Sequence, residues 1–179
     1  MRLSRSPQLV DFERRIMPHL DAAYSLARFL MRNDQNAEDV VQESCLRAFR
    51  FYESFRGENG RAWFLSIVRN TAFTALKRAT KDEAGVVFDE ELHTPEDSPA
   101  DIGAELDRGV DRQTVRAAIE RLPAEFREVI TLRELEGCSY KEIADVANVP
   151  IGTVMSRLAR ARRQLYAILS QNYPERTRS

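Results

Sequence analysis

Cysteine is nearly missing from this chain. Cys45 and Cys138 are the only two, far apart, with no C-x-x-C spacing and no Cys/His cluster around them. A disulfide framework or a zinc knuckle is therefore excluded, and reduced thiols in a cytosolic protein are expected. Histidine is equally scarce: His19 and His93 have no partner at metal-ligand spacing. No apolar run approaches the ~18 residues that a membrane span needs, and the N-terminus does not read as a signal peptide. Glycine and proline, seven each, are sparse within the long periodic segments, and no stretch alternates convincingly as a strand should. There is no P-loop and no Ser/His/Asp set. Net charge is only −1, so the total does not announce a polyanionic partner; the distribution of charge must be read instead.

What is present is helical periodicity. Residues 8–17 read as a short helix ended by Pro18. The next reaches about Arg32, with Leu20, Ala23, Tyr24, Ala27, Leu30 and Met31 at core spacing. Residues 33–36 form a turn and N-cap region. From Ala37 to about Tyr52, Val41, Cys45, Ala48 and Tyr52 trace a core stripe. Asp39, Gln42, Glu43, Leu46 and Arg50 cluster on the other side. A leucine set outward among carboxylates suggests a protein partner with apolar and basic groups to offer.

Ser54–Gly60 reads as a loop, and a helix follows to about Thr80. Phe64, Val68, Thr71, Ala72 and Ala75 make its packed face, whereas Trp63, Ser66, Asn70, Phe73 and Lys77 project elsewhere. No acidic residue lies between Arg61 and Lys81. Aromatic groups among basic and amide groups make a platform for unstacked bases.

The composition then breaks. Residues 81–110 carry ten acids against Lys81 and Arg108, a net charge of −8, punctuated by proline and glycine. This is the pattern of a linker. A second helical unit begins at Asp111. Val115, Ala118, Ile119 and Leu122 form one stripe; Pro123 opens the next helix, with Phe126, Val129, Ile130 and Leu132 to Leu135, ended by Gly137.

The last part, ELEGCSYKEIADVANVPIGTVMSRLARARRQLYAIL, reads as a helix-turn-helix. Ser139 and Glu142 form a capping box. Ile143, Ala144 and Ala147 give a short apolar face, and Asn148-Val149-Pro150 ends the helix, with Pro150 suited to the first turn of the next. At about 100° per residue, Ile151, Val154, Leu158, Ala161 and Leu165 share one side of that helix. Thr153, Ser156, Arg160 and Arg163 lie opposite, with Arg157 at one edge, and no acid occurs from Pro150 to Ser170. One packed face and one arginine-bearing face suit a helix that enters a DNA major groove.

The expected fold is all-α: two small helical domains at 8–80 and 111–171, joined by an acidic linker at 81–110. The order of motifs resembles the extracytoplasmic-function (group 4) sigma factors of bacterial RNA polymerase. AEDVVQESCLRAFR (37–50) resembles their region 2.1–2.2, YESFRGENGRAWFLSIVRNTAFTALKR (52–78) regions 2.3–2.4, and residues 122–165 region 4. The resemblance implies that Asp39, Gln42, Glu43 and Leu46 contact the β′ clamp of core polymerase. It implies a −10 interface of Ser54, Phe55, Arg56, Trp63, Asn70 and Lys77, with Ser54–Gly60 holding a flipped base. It implies a −35 interface of Thr153, Ser156, Arg157, Arg160 and Arg163. Met155 and Ala159 stand where relatives often carry polar or aromatic side chains, and bear on the −35 preference; Asn59-Gly60 shortens the usual apolar approach to Trp63. The implied partners are core polymerase (β′ clamp and β flap), promoter DNA and an anti-sigma factor, with no cofactor and no membrane insertion. The competing reading is an ordinary helix-turn-helix regulator whose first 80 residues sense a signal or dimerise. The linker is expected to fold onto the arginine helix in the free protein or to lie along a basic polymerase channel, and the two arrangements are compatible at different stages.

Overall fold

The computed structural model of the chain describes residues 6–82 and 111–172. The expected linker, apart from Lys81 and Asp82, and the tail after Asn172 lie outside them. The chain divides into two compact units, and no strand occurs among the described residues.

The first unit holds α1 (Pro7–Arg15), a 3₁₀ turn (Met17–His19), α2 (Leu20–Met31), α3 (Asp34–Phe51), a second 3₁₀ turn (Tyr52–Ser54) and α4 (Gly60–Asp82). Local chemistry sets the boundaries. The Ser6 hydroxyl accepts from the Leu9 N–H at 3.3 Å, and the Asn33 side chain accepts from Asn36 at 2.9 Å. Asn59 does the same for Ala62 at 3.0 Å, satisfying donors that an α-helix leaves open at its start. Arg32 ends α2 in the left-handed region at φ 56°. The Arg28 guanidinium pairs with Asp34 and ties the end of α2 to the start of α3.

α2, α3 and α4 pack on one another around Leu26, Leu30, Phe64, Leu65 and Val68, all fully buried. Phe12 and Ile16 bury α1 and the turn after it. Three details differ from the sequence-based expectation. α3 begins at Asp34, not Ala37, because Asn33 is the cap. Its buried stripe is Ala37, Val40, Ser44 and Ala48, one step from Val41 and Cys45. Ser44 can replace an apolar residue there because its hydroxyl donates to the Val40 carbonyl at 2.6 Å. In α2, Leu26 and Phe29 are buried while Tyr24 is exposed.

The second unit holds α5 (Arg112–Glu120), α6 (Ala124–Ile130) continuing into a π-helical turn (Thr131–Leu135), α7 (Tyr140–Ala147) and α8 (Ile151–Asn172). α6 and α8 make its main packing, with α5 against both. Val129, Ile130, Leu132, Val154, Leu158 and Leu165 form the core, while Leu135 is exposed. Pro123 and Pro150 stand just ahead of α6 and α8, their carbonyls accepting the first helical hydrogen bonds. The expectation for Pro150, inside the first turn, is thus displaced by one residue.

Candidate nucleic-acid and polymerase interfaces

α3 presents Asp39, Gln42, Glu43 and Leu46 together on its outward face, all exposed. Leu46 is 65% exposed. Glu43 accepts from Arg47 Nε at 2.6 Å within the same helix, a surface pair that contributes little to stability. Asp39 and Glu43 also line a cleft between α3 and the far end of α4, where Arg47 and Arg78 face them. Cys45 is half-buried, and burial pushes its thiol pKa up, away from a reactive thiolate.

The segment from Tyr52 to Trp63 is an aromatic cluster. Phe55 stacks on Trp63 with ring centroids 4.7 Å apart. Tyr52 meets Trp63 edge-on at 6.3 Å and Phe12 at 5.3 Å. Trp63 is therefore half-buried with one face already covered by Phe55, rather than an open platform. The irregular loop is residues 55–59, shorter at both ends than expected, because Ser54 closes the 3₁₀ turn and Gly60 opens α4; Ser54 and Arg56 are exposed. Along α4, Asn70 and Lys77 are exposed, and Arg69 lies over the Phe73 ring at 4.3 Å. Asn70 accepts from Arg69 at 3.4 Å.

In the second unit the capping box forms as the sequence predicts. The Glu142 N–H donates to the Ser139 hydroxyl at 3.1 Å, and the Ser139 N–H donates to the Glu142 carboxylate at 2.8 Å. Asn148, at φ 53°, closes α7 in a left-handed conformation, and the Val149 N–H returns to the Ala144 carbonyl at 3.1 Å. This Schellman closure, and not the approach of Pro150 alone, stops the helix. Gly137, at φ 65°, makes the turn before it. Arg133 clamps that turn by donating to the Cys138 carbonyl at 2.9 Å while lying over Tyr140.

On α8 the buried side is Val154, Leu158, Ala161, Leu165 and Leu169. Ile151, the first residue of α8, belongs to the exposed set instead, at 46%. Thr153, Ser156 and Arg160 are half-exposed and Arg163 exposed. Arg157 leans inward: its side chain is 18% exposed and 3.8 Å from Glu125. Arg162, which periodicity did not single out, forms the tighter bond, giving two hydrogen bonds at 2.7 and 3.1 Å to one oxygen of Glu134. Burial works against its charge, but Glu134 and Tyr140 together outweigh it and raise the Arg162 pKa. Arg157 and Arg162 thus engage the module itself.

Some structure escaped the periodicity altogether. The Tyr52 hydroxyl donates to Asp11 at 2.5 Å across 41 residues of sequence. Arg127 is buried and donates to the Leu122 carbonyl. Among the described residues, no group of three or more His, Cys, Asp or Glu side chains could hold a metal ion. No helix among them is long and apolar enough to cross a membrane.

Comparison with known proteins bears directly on these faces. Residues 16–82 match the Sigma-70 region 2 family, and residues 112–165 match Sigma-70, region 4. The chain is 40% identical over 154 residues to the ECF RNA polymerase sigma-E factor of Haemophilus influenzae, covering 78% of this chain and 77% of that one. It belongs to the extracytoplasmic-function sigma factors. The RNA polymerase sigma-H factor of Pseudomonas aeruginosa is 36% identical over 144 residues, 76% of this chain and 74% of that one. Among solved structures, the sigma factor RpoE of Bartonella quintana, crystallised with the anti-sigma factor NepR, superposes with a TM-score of 0.69 at 30% identity. That match covers 89% of this chain and 97% of that one. The protein is an alternative sigma factor of the sigma-70 family, a transcription initiation factor. Its two sigma-70 regions imply core RNA polymerase and promoter DNA as partners. The reading as an independent helix-turn-helix regulator is not favoured.

Proposed function

We propose that α3 docks this sigma factor on the β′ clamp of core polymerase through Asp39, Gln42, Glu43 and Leu46. The observation that carries this is a leucine 65% exposed on a carboxylate-bearing face, an arrangement that serves a partner better than it serves water. The loop Ser54–Gly60, with Phe55 and Arg56, and the α4 residues Trp63, Asn70 and Lys77 open and read the −10 element. Unstacking a base costs a few kcal/mol, offset by contacts with the loop side chains and by stacking. Thr153, Ser156, Arg160 and Arg163 meet the −35 duplex, with Arg157 at its margin. Phosphate contacts supply salt-sensitive affinity, and Ser156 and Arg160 add readout of base edges or duplex shape. The second unit also touches the β flap.

The domains are 8–80 and 111–171, with 81–110 as the acidic linker between them. The protein works in the cytoplasm, uses no cofactor and catalyses no reaction of its own. An anti-sigma factor holds it inactive, as a partner of that kind accompanies the Bartonella relative. The test is reconstitution with core polymerase. Wild-type protein co-purifies with core and supports run-off transcription from its promoters; Leu46→Asp, which sets a third carboxylate beside Asp39 and Glu43, loses core binding by at least about tenfold. Normal core binding by Leu46→Asp would falsify the α3 assignment.

A further inference from the structure

The base-reading loop does not hold its own shape. Residues 55–59 have no regular structure; besides the Phe55 stack on Trp63 and the Asn59 cap of α4, α1 ties the segment down at three points. At its entrance, Tyr52 donates to Asp11 Oδ2 at 2.5 Å. At its tip, the Arg15 guanidinium lies 4.9 Å from the centre of the Phe55 ring and donates from Nη2 to the Gly57 carbonyl at 2.9 Å. At its exit, Gly60 abuts the α1 terminus: a Cβ there would come within 3.0 Å of the Arg15 carbonyl oxygen and 3.3 Å of Ile16 Cδ1.

Asp11 and Arg15 are one helical turn apart and face each other, with Arg15 Nη1 3.9 Å from Asp11 Oδ2. The Tyr52 hydrogen bond draws the Asp11 carboxyl below its usual range, and burial together with that bond raises Tyr52. The link between them therefore persists throughout neutral pH. Ser54, Arg56 and Glu58, which lie between the pins, are exposed. The geometry is that of a frame holding a short reading surface open. Phe12 and Ile16 are buried and hold the frame itself.

We infer that Arg15 and Asp11 are positioning residues for −10 discrimination: from α1, outside the reading surface, they fix the conformation in which the loop accepts one base over the others. This rests on the reading of Ser54–Gly60 as the −10 loop. Its physical basis is preorganisation. A pocket discriminates between bases only while its walls stay in place, and a displacement of about 1 Å in a supporting contact can change a rate by about a hundredfold. Releasing the pins lets the loop adapt to any base and lowers its preference for the right one.

The experiment uses the full chain in holoenzyme with core polymerase, on promoters carrying each of the four bases at every −10 position. Arg15→Ala and Tyr52→Phe are compared with wild type, with Arg15→Lys, and with Arg56→Ala inside the loop. Trp63 is the only tryptophan in the chain and stacks on the loop residue Phe55, so its emission reports the loop directly. Arg15→Ala and Tyr52→Phe are expected to increase quencher access to Trp63. They are also expected to lower the ratio of initiation rates, best base to worst, by about tenfold, with core binding unchanged. Arg15→Lys keeps the charge beside Asp11 but cannot both cover the Phe55 ring and reach the Gly57 carbonyl; it falls in between. If Arg15→Ala does not fold, Tyr52→Phe, a one-atom change, decides. An unchanged base ratio in the α1-contact variants, alongside a changed one in Arg56→Ala, overturns the inference and leaves the loop reading standing. An unchanged ratio in all of them overturns both.

Discussion

Thr131 has a hydroxyl fully enclosed in the second unit, with no hydrogen-bond partner. A buried hydroxyl without a partner carries its desolvation cost uncompensated. Thr131→Val keeps the shape, removes that cost and should stabilise the protein by about 1 kcal/mol, read as a rise in the denaturant midpoint with unchanged slope. The substitution sits in the π-helical turn, where the Glu136 N–H reaches back to the Thr131 carbonyl at 3.0 Å. A fall in stability would mean that this turn needs the hydroxyl in a way the hydrogen bonds do not reveal. The same residue-by-residue view explains the arginines. Arg157, Arg160, Arg162 and Arg163 look alike in sequence, but Glu125 and Glu134 draw the first and third inward.

At the scale of the element, α8 is where sequence and structure agree best. Its apolar stripe repeats from Val154 to Leu165 over several turns, and one long period averages out local ambiguity. α3 is harder because Val40 and Val41 are both apolar, and the true stripe passes through a serine whose hydroxyl is satisfied within its own helix. Outward residues such as Asp39, Asn70 and Arg163 were legible because polarity tracks exposure, and Leu46 because it shares their helical face. The cover that Phe55 places on Trp63 and the bond from Tyr52 to Asp11 were not. Periodicity says which face a residue occupies and nothing about what a distant segment brings to it. Gly152 adds a prediction here. It stands in the first turn of α8 with open space where a Cβ would go, so nothing inside the protein requires glycine. Gly152→Ala should stabilise the helix by about 0.5–1 kcal/mol. If DNA approaches that turn closely, the added methyl should at the same time weaken −35 binding. Thermal melting and a binding titration on the same sample separate the two effects. Higher stability with unaltered affinity would place the first turn away from the duplex.

For the whole molecule the governing quantity is the balance of charge. A net charge of −1 conceals a segment of −8 at residues 81–110, while residues 8–80 and 111–171 carry +2 each and the chain ends supply the rest. That segment lies largely outside the described residues, but its charge is fixed by sequence, and it is tethered to both DNA-binding surfaces. Neutralising Asp89, Glu90, Glu91, Glu96 and Asp97 to their amides should strengthen binding of the free protein to −35 DNA at low salt. The effect should fade as salt rises toward physiological strength, where the screening length is about 8 Å. Unaltered low-salt affinity would mean that the linker does not compete for the arginine face.

The closures around α7 bear on how such a protein could be repurposed. Ser139 with Glu142 at one end and Asn148 at the other finish that helix using only their immediate neighbours. Met155, 54% exposed on the following helix, together with Gly152 and Ser156, takes no part in these closures. If the proposed −35 assignment holds, these outward positions on α8 can be rewritten as a set while the helix closures beneath them stay intact, making this unit a chassis for engineered transcription circuits.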